Sequence, residues 1–426
     1  MVNPMRSPGA GGRRVLLIAF HYPPASESSG IQRTLKFSQY LPEHGWTPAV
    51  LSAHPRVYDR VSSEQLAEVP AGMPVLRAFA LDTARHLSIA GRYPRALALP
   101  DRHVSWALGG IVQGMALIRR FRPDVLWSTY PIASAQLIGA TLARLTGLPW
   151  VADLRDSMTE DEYPRDPVQR ASFLKLEKRV VTHAARVVFT TPGARAMYAA
   201  RYPEVPPERW TVIENGFDEE NFTRAAGREP PPRSDRARVR LVHSGVLYPS
   251  ERDPRPFFDA LAALKARGVV DAARLCVVLR YTGHDALHRS EIERRGIQDL
   301  IELAPPVPYE AALAEQLAAD GLLLFQAANC NHQIPAKLYE YLRAGRPILA
   351  LTDAAGDTAA TLRAAGIDSI VALDDAAAIE AALATFLDRI EDGSAVRIGR
   401  PQAERHGRRA RTGELAALLD ALVASR

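Results

Sequence analysis

The chain has 426 residues, enough for two domains that each bury a core, and its 47% hydrophobic and 24% charged residues exclude a disordered or fibrous protein. The formal charge of +5 is spread along an arginine-rich sequence rather than gathered into one run, which argues against nucleic acid as a partner and for anionic small molecules or a lipid surface. Cys276 and Cys330 stand far apart with no Cys-x-x-Cys or Cys/His cluster, so neither a disulfide framework nor a structural zinc site is expected, and a reducing, cytoplasmic setting is.

The first residues are rich in Gly, Pro and Arg and contain no signal-like apolar region, so a disordered arm is expected over 1–13. Short apolar runs at 14–20, 48–53, 74–79, 124–129, 150–154, 186–191 and 210–215 predict seven strands, and runs at 239–245, 275–281, 300–304, 321–325, 347–351 and 369–373 predict six more. Helical patterns lie between them at 110–121, 133–145, 167–184, 256–267 and 309–319. Strands apolar on both faces and separated by helices predict α/β architecture, with two parallel sheets built from βαβ units. The longest apolar helical stretch, 132–142, contains Ser134 and Gln136 and is too short to span a bilayer. Segment 217–238 is charged, rich in Pro and Gly and without periodicity. It reads as a linker between an N-terminal domain, 14–216, and a C-terminal domain, 239–426, whose last helix is a candidate to pack back toward the N-terminal one.

Ligands of open parallel sheets bind beyond the carboxyl ends of the strands, so the residues that follow each strand carry the interest. After the first strand, Pro23 and Pro24 end the run, a serine-rich loop including Ser29 can present hydroxyls and amides, and Gly30 permits close backbone approach or simply serves a βα turn. Asp153, Arg155 and Asp156 end the fifth strand, where they either hold a hydroxyl-rich substrate or form a local ion pair. Asn215-Gly216 is a common turn dipeptide. Ser244-Gly245 after the first strand of the second half, with Arg252 and Arg255 near the next helix start, suits a phosphate or reads as a solvated basic loop. Between 85 and 106, Arg85, Arg92, Arg95 and Arg102 interleave with Leu87, Ile89, Leu97 and Leu99, either as a patch for an anionic membrane or as ordinary surface arginines.

Segment 333–349 is the most informative. Pro335 fits the first turn of a helix, and Gln333 and Ile334 before it leave no Ser, Thr, Asp or Asn to cap the first-turn amides. A diphosphate suits that opening, because the amides and the helix dipole favour negative charge and Lys337 adds a counter-ion. Glu340, one turn on, can accept from ribose hydroxyls or pair with Lys337. Leu338, Tyr341 and Leu342 form the core face, and Gly345 ends the helix.

In this order and spacing, "YPP…SSGIQR", "VIENGFDEENF", "SGVLYPSERDPRPF" and "PAKLYEYLRAGRPIL" resemble the motifs of GT-B glycosyltransferases, in particular the retaining, nucleotide-sugar-dependent family 4. The resemblance runs from about Arg14 to the end and implies two Rossmann-like domains facing across a cleft. It implies donor contacts at Ser29, Gly30, Asn215, Gly216, Ser244, Gly245, Arg252, His332, Ile334, Pro335, Lys337, Leu338 and Glu340. On the acceptor side it implies His21, Arg33, Asp153, Arg155 and Asp156. Asp156, Arg252, Lys337 and Glu340 are the catalytic candidates, with Asp156 beside the reacting carbon and Glu340 as the second Glu of the family's Glu-x7-Glu motif. His332 stands where the first Glu is usual, which favours comparison with a variant Pro-x-Lys-x-x-Glu branch. The reaction implied needs neither a metal nor a cofactor, the nucleotide sugar being a substrate. The acceptor is a hydroxyl of a polysaccharide, glycolipid or polyprenyl-linked intermediate at the inner face of the cell membrane. A non-hydrolysing nucleotide-sugar epimerase and a catalytically silent carbohydrate- or partner-binding module of the same fold are the alternatives.

Overall fold

A computed structural model describes residues 12–26, 30–160, 163–229 and 238–425. The expected N-terminal arm falls outside the described residues as far as residue 11, and so does Ser29; Arg13 already opens the first strand. Two compact units divide the chain, Met1–Glu214 together with Arg408–Arg426, and Asn215–Gly407.

Among the described residues the first unit holds seven strands, β1 (Arg13–Ile18), β2 (Trp46–Ala53), β3 (Val75–Ala78), β4 (Val125–Thr129), β5 (Trp150–Leu154), β6 (Arg186–Phe189) and β7 (Trp210–Val212). They are all parallel, in the order β3-β2-β1-β4-β5-β6-β7. Alternation along β1 explains why the run is apolar throughout. Leu16 and Ile18 enter one core layer with Leu126 and Ala152, whereas Val15 and Leu17 enter a second with Val125, Trp127 and Val151. The second layer is completed by the helix Arg408–Ala424, whose Leu415 and Leu419 are fully buried and whose Asp420 accepts from Trp46 Nε1 at 2.8 Å.

The second unit repeats the plan with β8 (Val239–Ser244), β9 (Leu275–Arg280), β10 (Ile301–Ala304), β11 (Gly321–Phe325), β12 (Ile348–Leu351) and β13 (Ile370–Val371), all parallel in the order β10-β9-β8-β11-β12-β13. Each sheet changes direction once, between β1 and β4 and between β8 and β11. Those are the points where a parallel sheet opens a crevice at its carboxyl end.

The linker reading needs correction. Residues Glu219–Ala226 form a helix with Phe222 and Ala225 buried in the core of the second unit. Phe222 meets Phe217 edge to face at 5.8 Å, and Arg343 pairs with Glu219 at 2.5 Å. Only two apolar side chains, three apart, carry this helix inward, so the charges around them mask its period. Residues 230–237 lie outside the described residues.

Candidate donor and acceptor sites

In the second unit, β8 ends at Ser244 and Gly245 follows with φ 116°, a conformation that disfavours any side chain. A Cβ there would also stand 2.9 Å from Lys337 Nζ. The glycine therefore lets the lysine of the helix Ala336–Ala344 reach the end of β8. Pro335 holds the N-cap position of that helix at φ −59°, and among the described residues no capping side chain bonds its first-turn amides. Lys337 Nζ lies 3.1 Å from His243 Nε2, and His243 Nδ1 is 2.9 Å from the carbonyl of Leu323 on β11. The carbonyl can only accept, so Nδ1 carries the proton and Nε2 accepts from the ammonium. Burial pushes the His243 imidazole well below its ordinary pKa, helped by the charge of Lys337. Burial and then the nearby Arg252 lower Lys337 itself to about 7, against the pull of Glu340.

Arg252 donates to the carbonyl of Val246 at 3.0 Å and its guanidinium sits 5.4 Å from the Tyr248 ring centre. Glu340 accepts from Tyr309 at 2.7 Å, so the Lys337 amine meets His243 and the carboxylate meets a tyrosine. The switch point of the second sheet thus gathers Gly245, Arg252, Lys337 and an uncapped helix start, an arrangement that can accept a diphosphate. Arg255 stays outside it, paired with Asp253.

Several expected donor contacts are reassigned. The amides of Ser244 and Gly245 donate to Tyr341 Oη at 3.1 Å and to the carbonyl of Arg280 at 2.9 Å, which leaves the loop to shape the site rather than bind an anion through those amides. Ile334 and Leu338 are buried in the core and anchor the helix. His332 is half-buried just before that helix, and Asn215-Gly216 opens the second unit.

In the first unit the acceptor-side set separates. Arg33 and Asp153 are 3% and 0% exposed and bond at 2.7 Å; Arg33 also donates to the carbonyls of Ile213 and Glu214, and Asp153 accepts from Thr129 Oγ1 at 2.7 Å. They brace β5, β7 and the helix Ile31–Tyr40, and the expected substrate role is corrected to a structural one, because their charges are already spent on each other and on partners within the unit. Gly30 is small because the Arg155 guanidinium lies where its Cβ would be. Arg155 pairs with the exposed Asp156 at 2.9 Å.

His21, at the tip of β1, lines a cavity of about 500 Å³ with Phe20, His103 and Phe173. Burial, the Arg155 cation and His103 together lower His21 to about 3, so it is neutral. His243, Tyr309 and His103 escaped the sequence reading, and Tyr341 was expected only as part of the core face, without its hydroxyl's bond to the Ser244 amide. A histidine at the carboxyl end of β8, directly after the buried Leu241 and Val242, was the available signal for His243.

Residues 29–216 match the model of the glycosyl transferase 4-like domain. No curated protein matches the chain. Among solved structures, sucrose-phosphate synthase from Thermosynechococcus elongatus is 16% identical with a TM-score of 0.63, over 97% of this chain and 100% of that one. HepE of Anabaena, crystallised with UDP and glucose, is 12% identical with a TM-score of 0.64, over 96% and 100%. A UDP-N-acetylglucosamine 2-epimerase is 10% identical with a TM-score of 0.55, over 98% of each chain. The two parallel-sheet units have the GT-B fold, and the stretch that matches the glycosyl transferase 4-like domain, residues 29–216, spans the first of them from the end of β1 onward.

Proposed function

We propose that the protein transfers a sugar from a nucleoside diphosphate sugar to an acceptor hydroxyl, with retention at the anomeric carbon and without a metal. The observation that carries this reading is the meeting of Lys337, Arg252 and an uncapped helix start at the end of β8, beside a glycine whose missing side chain makes the approach feasible. A glycosidic bond forms from the anomeric carbon to the acceptor oxygen, the bond to the diphosphate oxygen breaks, and the acceptor proton passes to the released diphosphate. Charge developing on that diphosphate is met by two cations and the helix dipole. Glu340 takes ribose hydroxyls, with Tyr309 fixing its carboxylate. His332 and Pro335 shape the entry to this helix, and Asn215 and Gly216 complete the donor set. In the first unit Asp156, with Arg155 and His21, faces the acceptor.

A peripheral contact with an anionic membrane face belongs to the same proposal. Arg85, Arg95 and Arg102 are paired with carboxylates, which turns attention from 85–106 to the helix Ser105–Phe121. There Leu108 and Val112 are 74% and 72% exposed, one turn apart on a stripe that runs on to Met115 and the exposed Arg119. Among the described residues no helix is long and apolar enough to cross a membrane. Leu108→Asp with Val112→Asp is expected to release the protein from anionic vesicles on sedimentation; unchanged binding counts against this surface.

The donor test is thermal stabilisation by a panel of nucleotide sugars, UDP-glucose first because HepE was also crystallised with it. Stabilisation lost in Arg252→Ala supports the reading, and no stabilisation by any member refutes it. Product analysis with a bound donor separates transfer from epimerisation.

A further inference from the structure

We propose that the cavity of the first unit binds a neutral saccharide, so that the protein extends an existing sugar rather than placing the first sugar on a phosphate-bearing lipid. The inference rests on the transferase reading above and narrows its acceptor.

The cavity opens at the switch point of the first sheet, between Phe20 and His21 after β1 and Pro131 and Ile132 after β4, and its volume of about 500 Å³ suits a small ligand. Rings of Phe20, Tyr93, Tyr163 and Phe173 line it, offering aromatic faces to the C–H faces of a sugar. Its cations are already committed. Arg95 pairs with Asp166, and Arg102 lies 3.1 Å from Asp82 and 3.5 Å from Asp59. Among the described residues that line it, the remaining acid, Asp101, accepts from the backbone amides of His103 at 2.8 Å and Ser134 at 2.6 Å. A phosphate entering here would have to displace carboxylates from their arginines, whereas Arg252 in the second unit bonds a carbonyl.

What remains for recognition among the described residues is neutral. His103 is 5% exposed, and its Nδ1 has no hydrogen-bond partner among the described residues. Its Nε2 accepts from Arg102 Nε at 3.4 Å, so the uncharged ring carries its proton on Nδ1. A buried donor without an acceptor costs about 1–3 kcal/mol, which a sugar hydroxyl oxygen relieves. His21, likewise neutral, lines the same cavity. The acceptor must then come from an earlier glycosyl transfer.

The test offers the full-length protein, with UDP present, an array of neutral, sialylated and phosphorylated glycans, and separately offers polyprenyl phosphate as sole acceptor with UDP-glucose. The expected result is retention of neutral glycans at least tenfold above their charged counterparts, a fall of at least fivefold in both His103→Phe and Tyr93→Ala, and no product on polyprenyl phosphate. Tyr93 is partly exposed, so its variant keeps the test alive if His103→Phe fails to fold. Preference for charged glycans, retention of none, indifference to both variants, or product on polyprenyl phosphate overturns the inference. Stabilisation by nucleotide sugars, measured on the same samples, tells the two failures apart. If it persists while no glycan is retained, only the acceptor inference falls; if it is absent from the wild type, the transferase reading falls.

Discussion

Lys337 holds its charge against burial and against Arg252, and a diphosphate would restore the proton it tends to lose. Binding of UDP is therefore expected to take up about one proton at pH 8.5, and affinity to fall above pH 7 by up to about tenfold per unit. Calorimetry in two buffers of different ionisation heat reads the uptake, and Lys337→Met should abolish it. Equal heats in both buffers would contradict the assignment. The sign for stability is the opposite of the sign for binding. The folded pKa lies below the ordinary 10.5, so between about 7 and 10.5 the unfolded chain binds more protons and the ligand-free protein gains stability as pH rises. Lys337 was legible in the sequence because a lysine two residues past a helix-starting proline, with no capping side chain, reads as an anion site. His243 was not, because its contact with Lys337 joins residues 94 positions apart.

At the scale of elements, the buried pair Arg33–Asp153 ties three elements of the first unit together. Arg33→Met leaves a carboxylate buried without its cation and is expected to cost about 3–5 kcal/mol, read by urea denaturation. A loss below about 1 kcal/mol would return Arg33 to the substrate side. Phe222→Ala should destabilise the second unit by about 3–5 kcal/mol, because the ring is 1% exposed in its core. All thirteen strands of the described residues were legible: inner strands such as β4 and β5 are buried on both faces and so apolar almost throughout, and the partly buried edge strands β3, β10 and β13 still keep short apolar runs. The helix Glu219–Ala226 was hidden because one phenylalanine and one alanine among charges give too short a period. The Arg33–Asp153 brace was hidden because charge type shows in a sequence while burial does not.

At the scale of the whole molecule, the helix Arg408–Ala424 belongs with the first unit although nearly two hundred residues of the second unit precede it in the chain. A chain stopped at residue 407 should lose the cooperative unfolding of the first unit, because the layer around Val15, Leu17 and Trp127 loses Leu415 and Leu419; a sharp, unshifted transition would refute this. The account stands on a diphosphate held by the second unit at the end of β8. Calorimetric titration of UDP into the wild type and into Arg252→Ala tests that claim directly. The account predicts saturable binding that weakens about tenfold to a hundredfold in the variant, the loss of one charge-assisted contact. Equal affinity in the two proteins, or no binding to the wild type, would contradict it.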